Sequence, residues 1–138
     1  MKMMIDLNVL LDVVQKRQPH YQASAQLLDF ALRNQCGSLP SHLLTTCYYL
    51  VMKYTNQQKA EDLIDWLLQK FTIIPASKET FLFARSLKFK DFEDAVVSAS
   101  AEEHHCHYII TRSSKDFSQS HVQALSPAEF LAIHEDFQ

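Results

Sequence analysis

Four aspartates have the residue type and spacing needed to bind a metal ion: Asp6, Asp91, Asp94 and Asp116. Asp6 directly follows the apolar run at residues 3–5, and a charge set among core residues needs a partner or a metal. Asp91 and Asp94 are one helical turn apart, so their side chains can face the same side. Converging carboxylates repel one another, and a hard cation such as Mg²⁺ or Mn²⁺ removes that cost. Such a site can activate water and hold a phosphodiester for in-line attack.

Each acid except Asp6 also has a simpler explanation. Asp91 can be a helix N-cap, and Asp94 then complements the dipole of the same helix. Asp116 can be an exposed turn residue, and Asp12 is expected to cap a helix end or to be solvated there. Asp6 is harder to explain in this way, because apolar residues lie on both sides of it.

The elements that must position these acids are short strands alternating with helices. Apolar or β-branched runs predict strands at residues 3–5, 36–39, 71–74 and 108–111. Helical patterns cover about residues 9–14, 20–34, 41–53, 58–69, 78–88 and 91–105, with a last short helix from residue 126. This alternation predicts a three-layer α/β/α fold with a central parallel sheet. Ligands bind beyond the carboxyl ends of such strands, which is where Asp6 and Asp116 fall.

Several helix starts carry capping residues. Ser41 is a possible N-cap after Pro40, and Ser77 can cap the helix that follows it. Ser126 and Glu129 form a capping box, with proline at the first helical position. These residues predict where three of the helices begin.

Composition narrows the class of protein. The 138 residues are 47% hydrophobic and 21% charged, as expected of one globular domain spanning residues 1–138. No apolar run approaches the roughly 20 residues that cross a bilayer, so we expect a soluble, cytoplasmic protein without membrane contact. A net charge of −3 argues against a protein that binds nucleic acid through an overall positive charge. It does not exclude local basic patches.

The few cysteines and the single glycine argue against disulfides, a cysteine zinc site and a glycine-rich nucleotide loop. The three cysteines are widely spaced, odd in number and without a CxxC pair, which favours buried thiols over disulfides or zinc. One glycine cannot build a GxGxxG nucleotide loop. The histidines around Cys106 lie at a helix-to-strand junction, where adjacent side chains point in different directions, so we expect a structural or solvated role.

Three segments together resemble the motifs of the PIN domain family. They are residues 5–12 (IDLNVLLD), 91–95 (DFEDA) and 109–117 (IITRSSKDF). They occur in the family's order, and the resemblance covers nearly the whole chain. It implies a PIN-like fold and a metal-dependent endoribonuclease, best known among VapC-type toxins of toxin–antitoxin pairs. An RNA substrate, an antitoxin protein and a homodimer are the partners that this resemblance implies.

The resemblance also assigns roles by position. Asp6, Asp94 and Asp116 match the acids that bind Mg²⁺ or Mn²⁺ in this family. Asn8 matches a polar residue that steadies the site, and Thr111 matches the hydroxyl at the end of the last strand.

The sequence departs from the family pattern in two places. Thr46 stands where many members carry a glutamate, and Ser113 stands where aspartate or asparagine is common. Asp91 or Glu93 is then a candidate for supplying the missing oxygen. The alternative function is a degenerate PIN domain that binds RNA or a protein partner without efficient cleavage.

Basic and aromatic residues surround the predicted acids. Arg112, Lys115, Lys88 and Lys90 flank them and are candidates for binding RNA phosphates, although ordinary surface charge explains each equally well. The phenylalanines nearby are expected to belong to the core rather than to a base-stacking platform. They are Phe81, Phe83, Phe89 and Phe92.

Overall fold

Five short parallel strands form the sheet of the computed structural model, which describes residues 1–134. The strands are β1 (Met3–Ile5), β2 (Gly37–Pro40), β3 (Thr72–Ile74), β4 (Tyr108–Ile110) and β5 (Gln123–Leu125). Their order across the sheet is β3-β2-β1-β4-β5, and each neighbouring pair is parallel. The carboxyl ends of β1 and β4, which precede the predicted acids, are therefore adjacent.

Seven α-helices cover the two faces of this sheet in the described part of the chain. They are α1 (Leu7–Val14), α2 (Tyr21–Arg33), α3 (Leu44–Tyr54), α4 (Gln57–Lys70), α5 (Lys78–Ser86), α6 (Phe92–Glu103) and α7 (Pro127–Ile133). Met3 and Ile5 point into the core beneath α1 and α2, whereas Met4 points into a second core with Val97 of α6. This alternation of side chains along β1 confirms the predicted three-layer α/β/α fold.

The capping residues explain where several helices begin. Ser77 and Thr80 form a reciprocal capping box at α5, and Ser126 and Glu129 form another at α7. Asp91 caps α6 by accepting a hydrogen bond from the amide of Asp94. The predicted caps at Ser77, Asp91 and Ser126 are thus confirmed.

The predicted role of Ser41 as an N-cap is wrong. The chain leaves β2 through a 3₁₀ turn at Ser41–Leu43 with no side-chain cap, and α3 begins only at Leu44. The amide of Leu44 donates to the carbonyl of Ser41, so the tight turn satisfies the backbone without the hydroxyl. The predicted end of α5 at Lys88 is also too late, because Lys88 has a φ of 61°, a left-handed conformation that ends helices.

The edge strand β5 was not predicted from the sequence. It has only three residues, and Leu125 is its one buried position. So short a run gives no alternating pattern, and β5 is defined by its pairing with β4. Within residues 1–134, no helix is both long and apolar enough to cross a membrane.

Candidate acidic site

Asp6 lies at the carboxyl end of β1 and caps α1. Only 7% of the residue is exposed. One carboxylate oxygen accepts a hydrogen bond from the amide of Leu7 at 2.8 Å, and the other accepts one from the hydroxyl of Thr111 at 2.9 Å. Burial raises the pKa of the Asp6 carboxyl, while these two hydrogen bonds oppose the rise. The buried acid is therefore held in one orientation.

Thr111 connects the ends of β1 and β4 through Asn8. The amide nitrogen of the Asn8 side chain donates to the Thr111 hydroxyl oxygen at 3.2 Å, and its carbonyl oxygen accepts from the backbone amide of Arg112 at 3.2 Å. The backbone amide of Ser113 also donates to the Thr111 hydroxyl oxygen, at 3.1 Å. These contacts bring together Asn8 and Thr111, the two residues predicted to support Asp6.

An ion pair between a fully buried carboxylate and a partly exposed arginine fixes the same segment from the other side. The Nε of Arg112 lies 3.0 Å from an oxygen of Asp12, which has no exposed surface. The hydroxyl of Ser24 on α2 donates to the same oxygen at 3.2 Å. The prediction that Asp12 caps or solvates a helix end is therefore wrong, since α1 turns this residue inward to meet Arg112.

Arg112 was a predicted phosphate ligand, and its guanidinium is engaged by Asp12 instead of being free at the surface. Its positive charge also lowers the pKa of Asp6, as the least of the effects on that group. No signal in the sequence indicated the pairing of Asp12 with Arg112, because the two residues are far apart along the chain.

The acids at the start of α6 form the second part of the site. Asp94 is half-buried, and its pKa is raised to about 7 by burial and then by repulsion from Asp6, Asp91, Asp116 and Glu93. The pKa of Glu93 is raised by burial, by Asp91 and by Asp6. All four predicted acids, with Glu93, are therefore close enough to interact electrostatically.

A cavity of about 400 Å³ opens onto this part of the site. Its lining includes the acids Asp91, Asp94 and Asp116, together with Lys88, Lys90 and Lys115. The structure thus brings three of the four predicted basic residues to the same cavity as the acids.

The carboxylates of these acids are suitable ligands for a divalent cation. Their side chains, however, lie too far apart to coordinate one ion together. Within residues 1–134, no three His, Cys, Asp or Glu side chains lie close enough together to hold a metal ion. Carboxylate oxygens are the ligands that Mg²⁺ and Mn²⁺ prefer, and the repulsion on Asp94 is of the kind that a cation relieves. A bound ion would therefore have to draw the side chains of Asp94 and its neighbours closer together.

Thr46 lies in the first turn of α3, where the family pattern favours a glutamate. One turn earlier, His42 has two buried ring nitrogens without a hydrogen-bond partner among the described residues. Burial lowers the pKa of His42. The nearby backbone of Glu93 opposes this change, although its distance and angle to the His42 ring do not amount to a hydrogen bond. Sequence reasoning missed His42, because leucines follow it and no charged residue marks it.

The prediction that all four phenylalanines are core residues is wrong for Phe81 and Phe92. Their exposed fractions are 38% and 45%, and their rings lie 6.0 Å apart between centroids. Phe89 instead packs edge-on against Phe117 at 5.7 Å, and Phe83 is half-buried. The first two differ because α5 and the start of α6 turn them to solvent.

The cysteines and the histidine cluster serve the scaffold. All three cysteines are buried as free thiols, and burial raises the pKa of Cys106 to about 11. The Nδ1 of His107 accepts a hydrogen bond from the backbone amide of Lys2 at 3.1 Å. This contact ties the start of β1 to the start of β4.

Comparison with known proteins gives a family match and a related protein of similar length. The sequence pattern of the PIN domain family matches residues 2–115. Ribonuclease VapC1 of Aquifex aeolicus (strain VF5) is 28% identical over 135 residues, which are 94% of this chain and 92% of that protein.

The fold of this chain is similar to that of several solved structures. A toxin–antitoxin complex from Klebsiella pneumoniae has a chain with a TM-score of 0.71 and 21% identity, covering 91% of this chain and 98% of that one. FitAcB from Neisseria gonorrhoeae gives a TM-score of 0.72 at 19% identity, covering 91% of this chain and 98% of the other. At these identities the likeness establishes the fold alone.

Proposed function

The chain belongs to the PIN domain family, and from this membership we propose that it is a metal-dependent endoribonuclease. The observation that carries the proposal is the gathering of Asp6, Asp91, Glu93, Asp94 and Asp116, where burial and then repulsion from the other four acids raise the pKa of Asp94 to about 7. A fold does not gather unpaired carboxylates without cost, and a divalent cation is the ligand that such a cluster suits.

In this proposal Asp6, Asp94 and Asp116 bind Mg²⁺ or Mn²⁺. The ion, when bound, supplies the activation of water and the neutralisation of phosphate charge. The chain itself orients Asp6 through Thr111 and the amide of Leu7. This arrangement keeps one carboxylate fixed while the acids near α6 adjust around the cation.

The basic residues of the cavity would bind the substrate. Lys88, Lys90 and Lys115 line the same space as Asp94, so their ammonium groups can contact phosphates on either side of the cleaved bond. Arg112 acts differently, because its guanidinium pairs with Asp12 and holds the segment after β4.

We further propose that the protein is the toxin of a toxin–antitoxin pair. The matched relative is the ribonuclease VapC1, and one solved structure with this fold belongs to a toxin–antitoxin complex. The partner would then be an antitoxin protein, the toxin would pair as a homodimer, and the cytoplasm would be its place of action.

A degenerate domain that binds RNA or a protein without cutting is the second candidate. Thr46 favours it, since a hydroxyl does not supply the charge of a glutamate. Glu93 favours cleavage instead, because its interaction with Asp6 brings a further carboxylate to the site.

Cleavage of single-stranded RNA by the purified protein tests the proposal. With Mn²⁺ we expect cleavage that EDTA stops, and a loss of at least about 100-fold in Asp6→Asn and in Asp94→Asn, because each removes a ligand of the ion. Asp65→Asn is the matched control, since Asp65 is an exposed acid on α4.

Two results would contradict this assignment. Wild-type protein that saturates with Mn²⁺ but does not cut RNA would favour the degenerate domain. Cleavage that persists at full rate in both Asp6→Asn and Asp94→Asn would show that these acids are not the catalytic centre.

A further inference from the structure

The exposed pair of Phe81 and Phe92 has no role in the core. The two rings lie on different helices, α5 and α6, yet they are 6.0 Å apart with an interplanar angle of 36°. Both are more than one-third exposed. Exposed aromatic rings of this kind offer flat faces on which other flat groups can stack.

A second cavity, of about 370 Å³, lies beside Phe92. Its lining also includes Arg85, Lys88, Phe89 and Lys90. Lys88, Phe89 and Lys90 line the cavity of the acidic site as well. The two cavities therefore share one wall, and a chain-like ligand can extend from the acids towards the aromatic pair.

The charge around this second cavity is positive. Arg85, Lys88 and Lys90 are exposed, and none of them takes part in an ion pair within the described residues. Their charges are thus available to an anion. Asp91, which lines the cavity of the acidic site, is the acid nearest in sequence to these cations.

We propose that Phe81 and Phe92, flanked by Arg85, Lys88 and Lys90, form a subsite that stacks a base of single-stranded RNA next to the cleaved phosphodiester. The inference rests on the proposed ribonuclease function and adds the form of the substrate. Phosphates pair with the three cations while an unpaired base stacks on the rings. A duplex hides its base faces inside the helix, so it does not fit this surface.

Anisotropy of a labelled RNA tests the subsite separately from cleavage. The probe is a single-stranded oligonucleotide of about 12 mixed nucleotides, and EDTA is present so that it is not cut. The double variant Phe81→Leu/Phe92→Leu keeps apolar side chains but removes both rings. We expect it to bind the probe about tenfold more weakly than wild type.

Two controls isolate the contribution of stacking. The variant Tyr49→Leu/Tyr54→Leu removes two exposed rings from α3, and its binding should equal that of wild type. An abasic probe with the same sugar–phosphate backbone should bind wild type and Phe81→Leu/Phe92→Leu equally. Lys90→Gln should weaken the binding of both probes. It should also reduce the slope of the logarithm of affinity against the logarithm of salt concentration by about one.

The outcomes separate the subsite from the function. Equal binding of the mixed-sequence probe by wild type and Phe81→Leu/Phe92→Leu overturns the subsite, and RNA cleavage by wild type then leaves the ribonuclease assignment intact. Failure of the wild-type protein to bind the probe also overturns the subsite. If the wild-type protein then also fails to cleave RNA with Mn²⁺, the ribonuclease assignment itself is wrong. A change of mass in sedimentation with unchanged RNA binding would identify the rings as a contact between two copies of the chain, which also overturns the subsite.

Discussion

The two halves of the acidic site are built in opposite ways. In the half around Asp6, the carboxylate has a donor on each oxygen, from Leu7 and Thr111. In the half around Asp94, the pKa of that carboxyl is raised to about 7, first by burial and then by repulsion from four other acids. In the first half, hydrogen bonds oppose the effect of burial on the pKa of Asp6, whereas in the second half burial and repulsion both raise the pKa of Asp94.

This difference separates the framework from the part that responds to ligands. Buried polar groups with satisfied hydrogen bonds hold one geometry, so the Asp6 half can position a reacting group. Uncompensated charge lowers stability, so the Asp94 half is expected to respond to pH and to cations. The predictions below test that contrast, from the largest effect to the smallest.

The largest effect is expected in the framework, from Asp12→Ala. The change removes a fully buried carboxylate that pairs with Arg112 and accepts from the buried hydroxyl of Ser24, and breaking such a pair costs about 3 kcal/mol. We expect a loss of about that size in the free energy of unfolding, measured by urea denaturation.

Asp29→Ala is the matched control for Asp12→Ala. Its carboxylate pairs with the Nε of Arg33 at 2.9 Å, much as Asp12 pairs with Arg112 at 3.0 Å, but both partners are more than half exposed. An exposed pair contributes about 0.5 kcal/mol or less. Equal losses in the two variants would mean that the Asp12 pair does not stabilise the framework.

The second effect is the response to Mn²⁺. Ligand binding to the folded state at about 100 times Kd stabilises it by about 2.7 kcal/mol, so we expect Mn²⁺ to raise the Tm of wild type in a thermal shift assay. Asp94→Asn should lose most of this rise, whereas Asp65→Asn should keep it. An undiminished rise in Asp94→Asn would place the cation elsewhere.

The smallest effect is the dependence of stability on pH. The folded state raises the pKa of Asp94 from 3.8 to about 7, so it prefers the protonated acid. The stability from this group is therefore complete below pH 3.8 and is lost as pH rises through about 7.

Asp94→Asn removes that dependence. In metal-free buffer at pH 8 we expect it to stabilise the fold by about 1 kcal/mol, a value discounted for the solvent around a half-buried group, and to have little effect near pH 4. Urea denaturation of Asp94→Asn and of the control Asp65→Asn at both values of pH measures this. A variant less stable than wild type at pH 8 would contradict the idea that burial and repulsion together disfavour the charged form of Asp94.

Local sequence determined most of the elements and their ends. Apolar runs predicted four of the strands, because neighbouring residues suffice to indicate a buried strand. The capping boxes at Ser77 and Ser126 predicted the starts of α5 and α7, since their hydrogen bonds join residues three apart. The setting of Asp6 among apolar residues predicted a buried acid that needs a partner or a metal.

Only the tertiary structure decided which distant residues meet. The partner of Asp12 is Arg112, the strand β5 exists through its pairing with β4, and the exposure of Phe81 and Phe92 depends on how α5 lies against α6. Part of the repulsion at Asp94 likewise comes from Asp6 and Asp116, which are far from it in the chain. A local pattern records what a residue prefers, but its charge partners and its exposure are set by segments that the fold brings beside it. The sequence therefore indicated which acids could meet, while the fold decided that Asp6 is held by hydrogen bonds and that Asp94 is left under burial and repulsion.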